Sequence, residues 1–216
     1  MAVEDFTTWT EVDSTSVLTV TSSQVSINGL TGQALSTGVY VDKGADYWTG
    51  NFVTRVGPVN ASASSDLGKF VVFSIARGAP YLADIRSGVG IRWDRYGFST
   101  TSRLYLYYNN TTNETLTHDA SDFYEGTAVG MNTSYYVELE RSGTTVTAKI
   151  YSDAYSTLVD TLSISVTADS YSHAYVAGAY NNGSGTTTTA TIQNVDLSPG
   201  GSIVPQAMAT YRMRQA

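Results

Sequence analysis

The sequence predicts an all-β protein, on the evidence of its composition, the spacing of its apolar residues and its turn signals. The 216 residues include 30 threonines, 25 serines and 16 tyrosines, whereas charged residues make up only 14%. Threonine, valine and tyrosine favour strands, whereas helical bundles use alanine, leucine, glutamate, lysine and arginine. A hydrophobic fraction of 42% is too high for a solvated coil. We therefore expect one strand-rich domain, since β-sandwiches of about 200 to 250 residues fold as single units.

Short apolar runs recur along the chain, with glycine, asparagine, aspartate and serine between them. Within the runs, apolar and polar residues alternate, which indicates strands because successive strand side chains point to opposite faces of the sheet. Twelve strands are predicted, at residues 17–20, 24–27, 39–41, 51–56, 69–76, 88–94, 103–108, 135–141, 144–151, 159–166, 174–180 and 187–197.

A β-hairpin is predicted around Ser142 and Gly143, which separate two alternating strands. A two-residue connection that contains glycine is typical of a hairpin turn. In the second strand, Val146, Ala148 and Ile150 alternate with threonine and lysine. One face of this strand is therefore expected in the core and the other in water, as in antiparallel sheets.

The last segment differs from the strand-rich part of the chain, because Pro199, Gly200 and Gly201 break the final predicted strand. We predict a domain at residues 1–198, followed by a short non-globular tail at 199–216. Seven residues of this tail are expected to dock on a neighbouring subunit: Ile203, Val204, Met208, Tyr211, Arg212, Met213 and Arg214. A frayed terminus is the alternative.

Charge and cysteine content exclude several functions. A net charge of −7, with only 12 lysines and arginines, offers no electrostatic footprint for nucleic acid. No stretch approaches the roughly 18 apolar residues of a membrane span, and no signal peptide is visible at the N-terminus. Because cysteine is absent, thiol catalysis, cysteine-based zinc sites and disulfides are excluded. Neither a nucleic-acid partner nor a membrane span is therefore expected.

Three stretches of the sequence resemble the concanavalin A-like lectin/glucanase family, in particular its laminin-G-like branch. They are Asp5-Phe6-Thr7-Thr8-Trp9 followed by Ser26-Ile27-Asn28-Gly29-Leu30, then Tyr135-Tyr136-Val137-Glu138-Leu139-Glu140-Arg141-Ser142-Gly143-Thr144-Thr145-Val146-Thr147-Ala148, and finally Thr189-Ala190-Thr191-Ile192-Gln193-Asn194-Val195-Asp196-Leu197. The resemblance covers roughly residues 3 to 198 and implies a jelly roll, an antiparallel two-sheet β-sandwich with a concave face. It says little about the ligand, because the fold includes lectins, glycosidases and structural domains.

The protein is predicted not to be an enzyme. Glucanases of the resembled fold carry their carboxylates in an E-x-D-x-x-E pattern. Glu138 and Glu140 share a strand face, but the residues after them do not complete the pattern, so we interpret them as a solvated face beside Lys149. The histidines, His118 and His173, do not accompany a serine nucleophile elbow.

Aromatic residues with polar neighbours are candidates for a carbohydrate site. Sugars lay their C–H faces on tryptophan and tyrosine rings, while amides and carboxylates bind the hydroxyls. The candidate ligand-binding residues are Trp48, Trp93, Tyr47, Asp94, Tyr96, Tyr105 and Tyr107. Because Tyr105 and Tyr107 alternate with Leu104 and Leu106, their rings are expected to point away from the leucine side. For either tryptophan, a position in the core is the alternative.

A calcium site is weighed for one acidic segment, although a solvated loop is the interpretation we prefer. The segment holds Glu114, His118, Asp119, Asp122 and Glu125, and calcium binds where several oxygens converge. The segment lacks the alternation and the glycine of an EF-hand loop. No cofactor is therefore predicted, and no residue is assigned as a metal ligand.

The leading hypothesis is a non-enzymatic structural or adhesion protein of a virion or other extracellular assembly, acting as a surface decoration or tail-associated subunit. It rests on the missing catalytic pattern, the missing signal peptide, the polar strand faces and the tail. Other subunits of the assembly are the expected partners, with copies of this chain forming a homo-oligomer. The alternative is a carbohydrate-binding, lectin-like module that recognises a glycan through the aromatic residues.

Overall fold

The computed structural model describes residues 3–31, 37–63, 68–78, 88–95, 102–109, 123–167, 170–181 and 187–197. The regular secondary structure in these ranges is strand, apart from one 3-10 turn at Phe6–Thr8. The strands, numbered β1 to β17 in chain order, are Thr10–Asp13, Leu18–Val20, Gln24–Thr31, Thr37–Asp42, Trp48–Thr49, Phe52–Ala63, Gly68–Ala76, Gly88–Arg95, Ser102–Asn109, Phe123–Val129, Tyr135–Ser142, Thr145–Tyr151, Leu158–Ser165, Ser170–Tyr171, His173–Val176, Ala179–Asn181 and Thr187–Gln193. Among the described residues, no helix has the length and hydropathy that a membrane crossing requires.

Two antiparallel sheets make up the fold. Sheet A has the strand order β1-β4-β15-β7-β8-β9-β10, and β16 pairs with one end of β7. Sheet B has the order β13-β12-β11-β6-β17-β3-β2, and β5 pairs with β14 in a separate two-stranded ribbon. The predicted antiparallel two-sheet β-sandwich is therefore confirmed.

An apolar core joins the two sheets. Sheet A contributes Ile91 and Leu106, and sheet B contributes Val137 and Ile150, all four with 0% of their surface exposed. Complete burial of such a side chain stabilises the fold by about 1.5–3 kcal/mol. Trp9 also belongs to this core, with 6% of its surface exposed.

Each of the twelve predicted strands overlaps a strand of the structure. The predicted strand 174–180 is divided into β15 and β16, because Ala177 has a φ of 61°, in the left-handed region. The short strands β1, β5 and β14 were not predicted, and neither was β10. Glu125 lies in β10 and not in a loop, which corrects one position of the acidic segment.

The hairpin of β11 and β12 is confirmed, with its turn one residue later than predicted. Ser142 already pairs with Thr145, so Gly143 and Thr144 form the turn. Gly143 has a φ of 60°, which glycine adopts without steric cost. In β12, Val146 is fully buried while Thr145 is exposed, in agreement with the predicted alternation.

Residues 198–216 lie outside the described ranges. The division of the chain near residue 198 therefore stays a prediction. So does subunit docking by the seven tail residues: Ile203, Val204, Met208, Tyr211, Arg212, Met213 and Arg214.

Candidate functional site

The outer face of sheet A, on the side away from the apolar core, carries polar and aromatic side chains. In β9, Leu104 and Leu106 belong to the core, whereas Tyr107 belongs to a separate cluster with Tyr175. Since side chains alternate along a strand, Tyr105 shares the outer face with Tyr107. The predicted orientation of the two tyrosines is therefore confirmed.

The neighbouring strands add charged and hydroxyl groups to the same face. In β8, Trp93 belongs to the core, so Arg92 and Asp94 on either side of it lie on the outer face. The strand register places Arg92 opposite Tyr105, and Ser74 of β7 opposite Tyr175 of β15. We call the following residues the sheet A cluster: Ser74, Arg92, Asp94, Tyr105, Tyr107 and Tyr175.

Arg92 and Asp94 form a buried ion pair at the centre of the sheet A cluster, with 5% and 2% of their surfaces exposed. The Arg92 Nε atom lies 2.8 Å from Asp94 Oδ1 and donates a hydrogen bond to Oδ2 at 3.0 Å. The guanidinium carbon is 5.8 Å from the ring centre of Tyr105 and 5.9 Å from that of Tyr107, within cation–π range. The arginine is thus held by a carboxylate and two rings.

Two buried tyrosine hydroxyls lie beside this ion pair. The Tyr107 and Tyr175 oxygens are 3.4 Å apart, and Tyr175 is completely buried. Burial raises the pKa of Tyr175 well above its ordinary value, with a smaller contribution from Tyr107. The Tyr175 hydroxyl therefore stays protonated and acts as a neutral hydrogen-bonding group.

The Tyr105 ring of β9 packs against the neighbouring strand β10 at Gly126, which has no side chain to obstruct it. A Cβ atom at Gly126 would lie 2.3 Å from Cδ1 and 2.5 Å from Cε1 of Tyr105, closer than atoms approach in proteins. Gly126 pairs with Tyr105, and Ala128 pairs with Arg103, so β10 is small at both positions. Tyr105 is half-buried and Arg103 is exposed, which makes this edge the open part of the face.

The two predicted tryptophans lie in the core. Trp48 and Trp93 have only 1% and 2% of their surfaces exposed. The Trp93 ring stacks on Phe70 at 5.9 Å, and its edge contacts Tyr135 at 5.8 Å. A sugar needs an open ring face, so the structure supports the core alternative for both tryptophans and corrects their assignment to ligand binding.

The other predicted residues divide between two places. Asp94, Tyr105 and Tyr107 are brought together in the sheet A cluster. Tyr47 is half-buried and contacts Trp48 edge-on at 4.6 Å, beside the β5–β14 ribbon and not on sheet A. Tyr96 lies outside the described residues.

Sequence reasoning missed Arg92, Tyr175 and Gly126. The alternation that places Asp94 opposite to Trp93 also applies to Arg92, so this residue could have been found. Tyr175 alternates with the apolar Ala174 in the same way. Gly126 carried no such signal, because its partner ring comes from a different strand.

Ser172, His173 and Asp42 lie close together at one end of β15, but their hydrogen bonds do not activate the serine. The Ser172 hydroxyl donates to the Arg77 carbonyl at 2.9 Å, so it accepts from His173 Nδ1 at 2.7 Å. The other ring nitrogen is 3.7 Å from the Asp42 carboxylate. A nucleophilic serine must give its proton to the histidine, and here that proton points elsewhere.

Among the described residues, no group of three histidine, aspartate or glutamate side chains is placed to hold a metal ion. Of the acidic segment weighed for calcium, only Glu125 falls in the described ranges. The other four positions, Glu114, His118, Asp119 and Asp122, lie outside them.

A second cluster lies on the outer face of sheet B, and it changes the interpretation of Glu138. Only 4% of Glu138 is exposed, so this carboxylate is not on a solvated face. It accepts hydrogen bonds from Arg55 Nε at 2.7 Å and Lys149 Nζ at 2.9 Å. Lys149 also binds Glu140 at 3.2 Å. We call the following residues the sheet B cluster: Arg55, Glu138, Glu140, Lys149, Tyr136, Tyr151 and Tyr155.

The tyrosines of the sheet B cluster pack on one another. Tyr155 contacts Tyr136 and Tyr151 edge-on, with ring centres 5.4 and 5.7 Å apart, and the Arg55 guanidinium lies 5.0 Å from its ring centre. Burial raises the pKa of Tyr155 far above its ordinary range, although the nearby Arg55 charge opposes this shift. These rings are engaged within the protein.

Comparison with known proteins shows which solved structures share this fold. Neither a family model nor a curated protein matches the sequence. Among solved structures, a legume lectin-like domain from Entamoeba histolytica is 13% identical with a TM-score of 0.57, covering 88% of this chain and 91% of that one. The alginate lyase from Alteromonas sp. 272 is 12% identical with a TM-score of 0.55, covering 88% and 93%. The chain has a concanavalin A-like jelly-roll fold.

A functionally unknown protein from Saccharomyces cerevisiae shares this jelly roll, with 10% identity, a TM-score of 0.57 and coverage of 92% of this chain and all of that one. Identities this low show the fold and not the function. The predicted family resemblance is thereby confirmed as a resemblance of fold.

Proposed function

We propose that this jelly roll is a lectin-like, carbohydrate-binding module and that its site is the outer face of sheet A. The observation that carries the proposal is the Tyr105 ring, which lies half-buried over Gly126 beside the buried Arg92–Asp94 pair. An aromatic face next to fixed charged groups is the combination that sugar recognition requires. The legume lectin-like domain among the similar structures supports this choice.

Binding without catalysis fits the groups of the sheet A cluster better than an enzyme does. Alginate lyases share the fold, so a lyase is the enzyme to weigh. Its mechanism would need a group that takes a proton from the sugar. Burial keeps Tyr175 protonated, and Arg92 is engaged with Asp94, so neither is prepared for that role. We propose binding that needs no cofactor.

The virion or extracellular assembly, the surface location and the homo-oligomer stay predictions. The tail at 199–216, one of the features on which they rest, lies outside the described residues. A glycan-binding module would suit such a surface, but the sheet A cluster supports only the binding itself.

The proposal is tested on a glycan array with the full chain and two tyrosine variants. We expect the wild type to bind a subset of glycans and Tyr105→Ala to lose about tenfold in affinity, since ring contacts contribute about 0.5–1.5 kcal/mol. Tyr136→Ala, which removes a ring on sheet B, is the matched control and should keep the affinity. Urea unfolding of each variant separates loss of binding from loss of fold. An array on which the wild type binds nothing would refute the proposal.

A further inference from the structure

We propose that the saccharide bound on the outer face of sheet A carries an anionic group, a carboxylate or a sulfate ester, and that Arg103 binds this group. The inference rests on the proposed function and adds the charge of the ligand and the residue that recognises it. Three features of the open edge of sheet A support it: the position of Arg103, the local balance of charge and the small residues of β10.

Arg103 lies next to the proposed stacking ring. It precedes Tyr105 by two residues in β9, so both side chains lie on the outer face. Arg103 is exposed, and its guanidinium makes no hydrogen bond or ion pair with the described part of the chain. The substituents of a sugar stacked on Tyr105 would therefore lie within reach of the long, positively charged side chain of Arg103.

The charge of this region is opposite to that of the whole protein. The chain has a net charge of −7, yet the charged side chains that the structure describes around this edge, Arg92, Asp94 and Arg103, sum to +1. Asp94 lies opposite Arg103 in the register, but Arg92 Nε already lies within 3.0 Å of both of its carboxylate oxygens. The exposed charge left to meet a ligand is therefore positive.

Arginine is suited to the ligand chemistry proposed. Its planar guanidinium offers parallel N–H donors that match the two oxygens of a carboxylate or a sulfate, and it is always charged. Such charge-assisted hydrogen bonds are about twice as strong as those between neutral groups. An anionic sugar would thus bind Arg103 in preference to a neutral one.

Strand β10 leaves room for the ligand. It is the edge strand of sheet A, and the residues that it places opposite Tyr105 and Arg103 are Gly126 and Ala128. The Tyr105 ring covers Gly126, whereas Ala128 presents only a methyl group opposite Arg103. The anionic group can therefore approach Arg103 along the edge without meeting a bulky neighbour from β10.

The experiment measures binding of the full chain to three polysaccharides: polygalacturonate, which carries carboxylates, dextran sulfate, which carries sulfate esters, and neutral dextran. We expect at least one anionic polymer to bind tenfold or more tightly than dextran, with an affinity that falls as salt is added. Arg103→Gln should lose about tenfold for that polymer. Arg77→Gln, an exposed arginine beyond the end of β7, is the matched control and should change affinity less than twofold.

The outcomes separate this inference from the proposed function. Two outcomes would contradict the anionic ligand while agreeing with the proposed carbohydrate binding. One is binding of neutral glycans only, and the other is an affinity that Arg103→Gln does not change. An equal loss in Arg77→Gln would show general attraction to the surface and would also overturn it. The two anionic polymers distinguish carboxylate from sulfate. A protein that binds none of these polymers and no glycan on the array would refute both proposals.

Discussion

The two outer faces of the jelly roll use the same residue types in different ways. Each has arginine beside a carboxylate and tyrosine rings within cation–π distance of the arginine. On sheet B, Glu138 is enclosed by two cations, and Arg55 lies against the Tyr155 ring. On sheet A, the pair is more deeply buried, but Tyr105 and Arg103 remain at an open edge.

This difference indicates which face stabilises the protein and which can bind a ligand. The sheet B cluster satisfies its own charges, because each carboxylate has a cation within 3.2 Å and the rings contact each other. In the sheet A cluster, the Arg92–Asp94 ion pair is buried, and beside it at the edge strand Arg103 is exposed and Tyr105 is half-buried. Substitutions on sheet B should therefore affect stability, whereas substitutions at the open edge of sheet A should affect binding.

The largest effect is expected from Glu138→Gln on sheet B. Removing one charge of a buried network usually costs about 3–5 kcal/mol, but Arg55 and Lys149 reach solvent with about 30% of their side chains exposed. We therefore expect a loss of about 2 kcal/mol, measured by urea unfolding, with glycan affinity unchanged. Glu140→Gln, whose side chain is 33% exposed, is the control and should cost less than about 1 kcal/mol. Equal losses of unfolding free energy in the two variants would show that the buried position of Glu138 between two cations does not cause the larger effect.

The same comparison predicts a dependence on pH. Burial alone would raise the pKa of Glu138, but hydrogen bonds and charges from Lys149 and Arg55 outweigh burial and lower it. A carboxylate with a lowered pKa stabilises the fold above its unfolded pKa of about 4.3, and this stabilisation is lost as the pH falls through the folded value. The stability difference between wild type and Glu138→Gln should therefore be full at pH 7 and shrink below about pH 4. A difference that stays constant down to pH 3 would show that the charge is not its cause.

Strand alternation explains how much of this was predictable. It predicted the twelve strands and the outward direction of Tyr105, because a period of two residues is a local property of the chain. It could not decide whether Trp48 and Trp93 lie in the core, since alternation distinguishes two faces without saying which one is covered. It failed for β10, where Glu125 and Gly126 interrupt the apolar pattern. Glycine is required at position 126 because the Tyr105 ring of another strand packs against it. A contact between two strands leaves no trace in the local sequence pattern.

Gly126→Ala tests the open edge of sheet A. The added methyl group would overlap the Tyr105 ring, and overpacking of this kind costs about 1–3 kcal/mol. The ring must move, so we expect glycan affinity to fall about tenfold at concentrations of urea where the variant is still folded. Gly78→Ala is the matched control, because a Cβ atom there meets nothing within 4 Å. In the background of Tyr105→Ala, Gly126→Ala should cause no further loss of affinity, because the two residues act through one contact. An additive loss of affinity would show that Gly126 and Tyr105 act on binding independently.

The smallest effect is expected for Tyr175→Phe, in the buried part of the sheet A cluster. The variant loses the hydrogen bond between the Tyr175 and Ser74 hydroxyls and the contact with the Tyr107 hydroxyl, which at 3.4 Å is long for a hydrogen bond. We expect a cost of about 1 kcal/mol in urea unfolding, with glycan affinity within twofold of the wild type, because Tyr175 supports the site from beneath and does not reach the open edge. Tyr40→Phe removes the hydroxyl of the half-buried residue that pairs with Tyr175 across β4 and β15, and it should have no measurable cost. A large loss of affinity in Tyr175→Phe would instead place the ligand over the centre of sheet A, away from Tyr105 and Arg103.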